Sequence, residues 1–326
     1  MCDAARPSAL VLGGTGHIGA AIARRLAEAG YRVTATGRSD KPRPNLAGTQ
    51  VRIAVGQDAL PLIAGTDLVV DAATPYPVTL HGRDTAGRTK QAVLRSKALL
   101  DAAKQADAAF VHISSFTTLP RPNPSALSQI GQGVLRGMHD YFEVKQRVED
   151  SVRRALDQGL RGCIVNPATC FGPYDLKPKE QAFVPMLLGG QVRGLVRHDL
   201  NVVDVRDVAD IVLACAAQGF PHVQVPVFGH TVSLRDLATQ ICATTGAAPP
   251  RLEVPSLMGL AGLYWMETAF ALTGRQSPWP SLPMMLVSAS YAATPTEQQI
   301  DLHPNLLPLP QTLQDAVQWY QQIGAV

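Results

Sequence analysis

The first nineteen residues constrain the fold more than any other stretch of the chain. Ala9-Leu-Val-Leu-Gly13-Gly-Thr-Gly16-His-Ile-Gly19 is a short apolar run that ends in closely spaced glycines and leads into an alanine-rich segment. Gly13, Gly16 and Gly19 satisfy a Gly-x-x-Gly-x-x-Gly spacing, and Gly14, Gly16 and Gly19 satisfy Gly-x-Gly-x-x-Gly. Either way, glycine lets the backbone turn sharply after a strand and lets an anion approach the N-terminus of the next helix. Strand, tight turn and helix are expected here, with Gly13, Thr15, Gly16, His17, Ile18 and Gly19 at a candidate pyrophosphate site. His17 itself is expected to pack or to face solvent.

The same rhythm continues. Leu10–Leu12, Arg32–Thr36, Val51–Val55, Leu68–Ala72, Ala109–Ile113 and Gly162–Val165 read as six strands. His17–Ala29, Thr89–Ala106 and Tyr141–Gln158 read as helices, each with alanine or leucine at helical spacing. Alternation of this kind predicts an α/β fold with a doubly wound parallel sheet. Prolines and glycines between Leu119 and Gly137 predict an irregular insertion before the third helix. Beyond about Pro173 the prolines multiply and the βαβ rhythm fades. We therefore expect residues 1–173 to form mainly a dinucleotide-binding domain and residues 174–326 mainly a cap over the strand ends, with some segments returning to the sheet.

Composition narrows the function class. The formal charge of +3 comes from 29 basic and 26 acidic residues without long single-sign runs, which argues against nucleic acid or an anionic membrane as partner. Cys2, Cys163, Cys170, Cys215 and Cys242 form no Cys-x-x-Cys pair, so they read as reduced core residues rather than disulfides or zinc ligands. No His/Cys/Asp cluster has metal spacing. His198 and Asp199 border a possible pocket, although a lone histidine in a polar turn is more often structural. The first residues lack the order of a signal peptide, and a cytoplasmic location is expected. Leu257–Gly274 is apolar enough to approach a bilayer span, but Glu267 interrupts it; a buried or substrate-covering helix is expected, without stable membrane insertion.

Chemistry enters with Tyr141-Phe-Glu-Val-Lys145. A tyrosine and a lysine four apart share a helix face, so the ammonium can stabilise a phenolate and make the phenol a usable acid and base. Ser114 and Ser115 follow the fifth strand, where a hydroxyl can meet a substrate carbonyl across the crevice from Tyr141. After the second strand, Thr36-Gly-Arg38-Ser39 lacks the acidic residue that would bind ribose hydroxyls. Arg38 instead offers a guanidinium fork, and Ser39 a hydroxyl, for a 2′-phosphate, which favours NADP(H) over NAD(H). Asp58 and Ala59, after the third strand, are candidates for contact with the adenine.

Together these features resemble the extended short-chain dehydrogenase/reductase superfamily, the NAD-dependent epimerase/dehydratase family, and within it the dihydroflavonol-4-reductase-like branch. The glycine turn, His112-Ile-Ser-Ser115, Tyr141-Phe-Glu-Val-Lys145, Asn166-Pro167-Ala-Thr-Cys-Phe171-Gly172-Pro173 and Val203-Asp-Val-Arg-Asp207-Val-Ala209 carry the resemblance in order. It implies a Rossmann-type doubly wound parallel sheet with a smaller C-terminal substrate-binding cap. It also implies Ser115, Tyr141 and Lys145 as catalytic residues, and adds Ala72, Ala73, Thr74, Tyr141, Lys145, Pro167 and Thr169 to the cofactor site. The implied activity is NADPH-dependent reduction of a moderately large, apolar ketone or aldehyde. An epimerase or dehydratase with tightly bound nicotinamide, or a noncatalytic NADP sensor, are the alternatives; a homodimer is also implied. Three positions depart from the pattern: Asp71 stands where a histidine is usual before two alanines, Ala92 replaces an asparagine, and Asn166 replaces an arginine.

Overall fold

The computed structural model describes residues 6–37, 43–73, 85–120, 139–273 and 294–326; the side chains of residues 85, 139–142, 180, 260 and 271 lie outside it. Strands β1 (Ser8–Leu12), β2 (Arg32–Gly37), β3 (Arg52–Val55), β4 (Leu68–Asp71), β5 (Ala109–Ile113) and β6 (Gly162–Pro167) alternate with helices α1 (His17–Glu28), α2 (Leu60–Ile63), α3 (Thr85–Gln105) and α4 (His139–Asp157). All neighbours in this sheet pair in parallel. β1, β4 and β5 are buried along their whole length, because helices cover both faces; this is why they read as continuous apolar runs. β2 alternates instead, and β3 is largely exposed as an edge strand should be.

The chain then makes β7 (Thr169–Phe171), α5 (Phe183–Leu188), β8 (Gly194–Val196), β9 (Asp199–Asp204) and α6 (Val205–Ala217) before returning to the main sheet as β10 (Gln224–Val227). Among the described residues the sheet therefore has seven strands, in the order β3-β2-β1-β4-β5-β6-β10, rather than the six expected. β10 is only four residues long and contains Pro226, so it carries little strand signal; at the sheet edge the missing N–H is tolerated. The βαβ rhythm thus persists past Pro173 for one more unit, with Asp204 capping α6 by accepting from the Arg206 N–H. α6 packs along α1 through Val208, Ile211, Val212 and Cys215 against Ile22 and Leu26.

The rest of the chain, β11 (His230–Ser233), α7 (Leu234–Ala243), β12 (Leu252–Val254), α8 (Ser256–Leu272), α9 (Glu297–Leu302) and α10 (Leu309–Gln322), builds around smaller sheets, β11-β9-β7 and β12-β8. A second apolar core joins α5, α7 and α10 through Phe183, Leu237, Ile241, Leu313 and Trp319. α8 corrects an expectation. Trp265 is 70% exposed and Leu272 84%, whereas Glu267, the residue expected to spoil an apolar helix, is buried. Gly259 faces inward because a Cβ there would sit 2.5 Å from the Val196 side chain. Among the described residues no helix is long and apolar enough to cross a membrane.

Candidate active site

The order 3-2-1-4-5-6 reverses direction between β1 and β4, and an open parallel sheet has its crevice at such a switch point, beyond the carboxyl ends of the strands. The glycine turn lies there. Gly13 has a φ of +71°, and its N–H donates to Thr36 Oγ1 at 3.1 Å, which ties the turn to β2. A Cβ at Gly13 would lie 2.9 Å from the Ala72 carbonyl oxygen, and one at Gly19 would lie 2.3 Å from that of Gly13. The backbone is packed here too closely for side chains, which leaves a bare glycine turn at the start of α1; this cradle fits a pyrophosphate. Thr15, Gly16, His17 and Ile18 complete the turn, with Ala72 and Ala73 facing it.

His17 packs rather than faces solvent: its side chain is largely buried beside Asp175. Burial pushes its pKa down, opposed by Asp175, whose carboxylate lies 4.0 Å from Nδ1. Among the described residues its Nε2 has no hydrogen-bond partner. Asp175 is also buried, which would raise its pKa, but Lys177 and His17 hold it down at about 2. Asn45 Nδ2 bridges the Thr15 and Tyr174 carbonyls, and Trp319 Nε1 donates to the Asp175 carbonyl. The C-terminal helix α10 is thereby fastened beside the glycine turn, a link with no signal at the level of sequence.

On the other side of the switch point, β5 is followed by Ser114 and Ser115 and then a 3-10 turn, Phe116–Thr118. The two serines, equally buried, have different employment. Ser114 Oγ donates to Glu149 Oε2 at 2.6 Å. Ser115 Oγ accepts from the Thr117 N–H at 3.2 Å and from Thr117 Oγ1 at 3.0 Å, so among the described residues its own proton is left to donate outward. Lys145 of α4 is buried and points Nζ at the Ile113 carbonyl, 3.2 Å away, with the Ser114 carbonyl at 3.5 Å. Burial pushes its pKa down to about 8, against the upward pull of Asp71 and Glu149. Tyr141 stands one helical turn before Lys145 in α4; its side chain lies outside the described residues.

Behind Lys145, Asp71 receives both ends of the Arg95 guanidinium at 3.0 and 3.2 Å and the Ala73 N–H at 3.2 Å. His112 Nδ1 lies 3.8 Å from the same carboxylate, beyond hydrogen-bond distance. Burial alone would raise the Asp71 pKa, but His112 and Arg95 outweigh it and hold the carboxyl well below the usual range. Arg95 therefore answers the departure at Asp71. The position of Ala92 is likewise explained: its side chain is buried against Val144 and Val148, where it seats α4 on α3.

Pro167 and Thr169 lie at the end of β6 and the start of β7. Asp58 is exposed and its Oδ1 accepts from the Leu60 N–H, so this carboxylate starts α2; Ala59 precedes that helix. Arg38, Ser39 and Thr74 lie outside the described residues. His198 offers its carbonyl to the Leu234 N–H at the head of α7, a structural use. Sequence reasoning missed Arg95, Glu149, Asp175 and Gln224. For Glu149 a signal existed, since 141, 145 and 149 repeat at helical spacing.

A model of the NAD dependent epimerase/dehydratase family matches residues 9–225, from β1 to β10. The chain belongs to this family. Its fold and motifs are those of the extended short-chain dehydrogenases/reductases, whose members are NAD(P)-dependent oxidoreductases, epimerases and dehydratases. A Synechocystis sp. protein named as a dihydroflavonol 4-reductase is 29% identical over 333 residues, covering 97% of this chain and 95% of that protein. Sterol demethylase protein B of Methylococcus capsulatus is 28% identical over 258 residues, covering 76% of this chain and 77% of the relative. Among solved structures, the Bordetella bronchiseptica enzyme WbmH in complex with NAD+ superposes with a TM-score of 0.69 at 18% identity, covering 98% of this chain and 99% of that one. That likeness is one of fold.

Proposed function

We propose that this family member is an NADPH-dependent reductase of a moderately large, apolar ketone or aldehyde, working through Ser115, Tyr141 and Lys145. The observation that carries the reading is the buried Lys145 ammonium seated under a serine turn in which Ser114 is occupied and the Ser115 proton is left to donate. The Ser115 hydroxyl donates to the substrate carbonyl oxygen. Tyr141 gives its proton to the developing alkoxide, and the positive charge of Lys145 stabilises the tyrosinate left behind. The nicotinamide, when bound, supplies hydride to the carbonyl carbon. Its dinucleotide is held by Gly13, Thr15, Gly16, Ile18 and Gly19 at the cradle, with Ala72, Ala73, Thr74, Pro167 and Thr169 along the crevice.

Arg38 and Ser39 are assigned to the 2′-phosphate on their chemistry. The apolar character of α8 and the two curated relatives support an apolar substrate. Four free cysteines among the described residues suit a reducing cytoplasm, and a homodimer is the proposed assembly.

The test incubates the protein with NADPH deuterated at the transferable position and a panel of apolar ketones, aldehydes and nucleotide sugars. Deuterium in a reduced product is expected, read by mass spectrometry. Isomerised product without net oxidation of NADPH would replace the reductase reading by an epimerase. For the 2′-phosphate, Arg38→Ala should weaken NADPH far more than NADH, and equal losses would remove that assignment.

A further inference from the structure

We propose that Glu149 is the positioning residue of this site, the group that holds the Ser114–Ser115 turn in register with the helix that carries Tyr141 and Lys145. The inference rests on the Ser-Tyr-Lys reading above. Glu149 lies one turn beyond Lys145 on α4 and is 2% exposed. Its carboxylate receives five donors. Ser114 Oγ at 2.6 Å, Thr118 Oγ1 at 2.6 Å and Asn166 Nδ2 at 2.9 Å reach Oε2. Gln224 Nε2 at 3.0 Å and Arg153 Nη2 at 3.2 Å reach Oε1. They come from the end of β5, the 3-10 turn, β6, β10 and α4 itself.

A buried carboxylate survives only where hydrogen bonds replace its water, and here the replacement fixes geometry as well. Asn166 Nδ2 also lies 3.1 Å from the Ser115 carbonyl, so one amide joins Glu149 to the backbone of the serine that faces substrate. Gln224 Nε2 in turn donates to Asn166 Oδ1 at 3.1 Å, which fixes the orientation of that amide. This is where the departure at Asn166 is absorbed: instead of one long cation from β6, two amides and Arg153 meet the carboxylate. Any tilt of α4 relative to β5 would break several of these bonds together.

The charges around Lys145 supply a second handle. Asp71 on β4 and Glu149 on α4 face it with negative charge; Arg95 of α3 and His112 of β5 stand behind Asp71, Arg153 stands behind Glu149, and Tyr141 is one turn away on α4. Removing the Glu149 charge lowers the pH at which Lys145 loses its proton.

Glu149→Gln is the sharp variant, since it keeps the shape but turns one acceptor oxygen into a donor amide facing the Ser114, Thr118 and Asn166 donors or those of Gln224 and Arg153. The full chain is assayed with NADPH and 1-phenyl-1,2-propanedione, an activated apolar ketone, beside Lys145→Met. Glu149→Gln is expected to melt cooperatively, to bind NADPH like the parent, and to lose about 100-fold in kcat at nearly unchanged KM, as a displacement near 1 Å costs. The alkaline limb of its kcat profile should move to lower pH, because the carboxylate facing Lys145 has lost its charge; the fall in kcat at unchanged KM and unchanged NADPH binding is the readout a merely structural residue would not produce.

Parental kcat and an unmoved alkaline limb in Glu149→Gln, with Lys145→Met inactive, would overturn this inference alone. Parental turnover in Lys145→Met would overturn the Ser-Tyr-Lys reading and this inference with it. Should Glu149→Gln fail to fold, Ser114→Ala, which removes one donor, decides: a fall of about 10-fold in kcat at constant KM supports the proposal, and parental kcat overturns it.

Discussion

The glycine cradle and the floor under Lys145 sit on opposite sides of the same switch point, yet they are made in different ways. The cradle is backbone: Gly13 and Gly19 approach carbonyls so closely that no side chain fits. The floor is side chain: two buried carboxylates, Asp71 and Glu149, one held by an arginine fork and the other by four neutral side chains and one arm of an arginine. A ligand that brings its own negative charge is met with unmodified N–H groups. The Lys145 ammonium is met with charges whose separation is set by packing.

That contrast can be broken experimentally, starting with the largest effect. Tyr141→Phe should lower kcat by about 100- to 10,000-fold, the range for a lost general acid, while NADPH titration by fluorescence stays at the parental affinity. If cofactor affinity collapsed as well, cradle and floor would not be separable. Arg95→Met should cost about 3–5 kcal/mol in urea unfolding at neutral pH, because it leaves the Asp71 carboxylate buried without its fork. Its pH dependence follows from the sign. Asp71 has its pKa lowered in the folded chain, so its stabilisation is present above the ordinary value of 3.8 and lost as pH falls through the folded value. The gap between parent and variant should therefore narrow in acid.

On the cradle side, Gly19→Ala should cost about 1–3 kcal/mol and abolish dinucleotide binding, since the turn must open to admit the methyl group. Gly16→Ala should be milder, because its Cβ would lie 3.3 Å from the nearest carbonyl; thermal melts with and without NADPH compare the two. The smallest effect lies outside both regions. His303 Nε2 donates to Asp207 at 3.0 Å, and that bond, helped by the charges of Asp207 and Asp210, raises its pKa above 6.5. Its stabilisation is full below 6.5 and is lost as pH rises through the folded value, so His303→Gln should remove under about 1 kcal/mol at pH 6 and nothing at pH 9. Activity at the two pH values should change no more than stability does.

The cradle was legible in the sequence because everything it needs is local. Strand, glycines and helix start follow one another, and the motif's spacing is its geometry. Lys145 and the serine turn were legible as a motif, and the resemblance singled out Ser115, but the group that occupies Ser114 was not legible. Nothing in a Ser-Ser pair says which hydroxyl a glutamate on a distant helix will claim. Arg95 was hidden in a helix with many cations, and Gln224 in a four-residue strand containing proline, whose edge position only the assembled sheet supplies. α8 misled through composition. Its apolar residues suggested a buried or substrate-covering helix; the structure turns Trp265 and Leu272 outward, against the buried alternative, and tucks Glu267 in.

β10 is the last strand of the main sheet in sequence and its outermost member next to β6, and it delivers Gln224 to the carboxylate of Glu149. On a chain made from the N-terminus, the two strands that flank the glycine turn have emerged by Ala73, whereas α4 must wait for Gln224 before its glutamate has all its donors. A nascent chain halted between those points is expected to present a nucleotide cradle without a finished proton-handling floor. Order of synthesis thereby separates in time what the folded protein holds side by side.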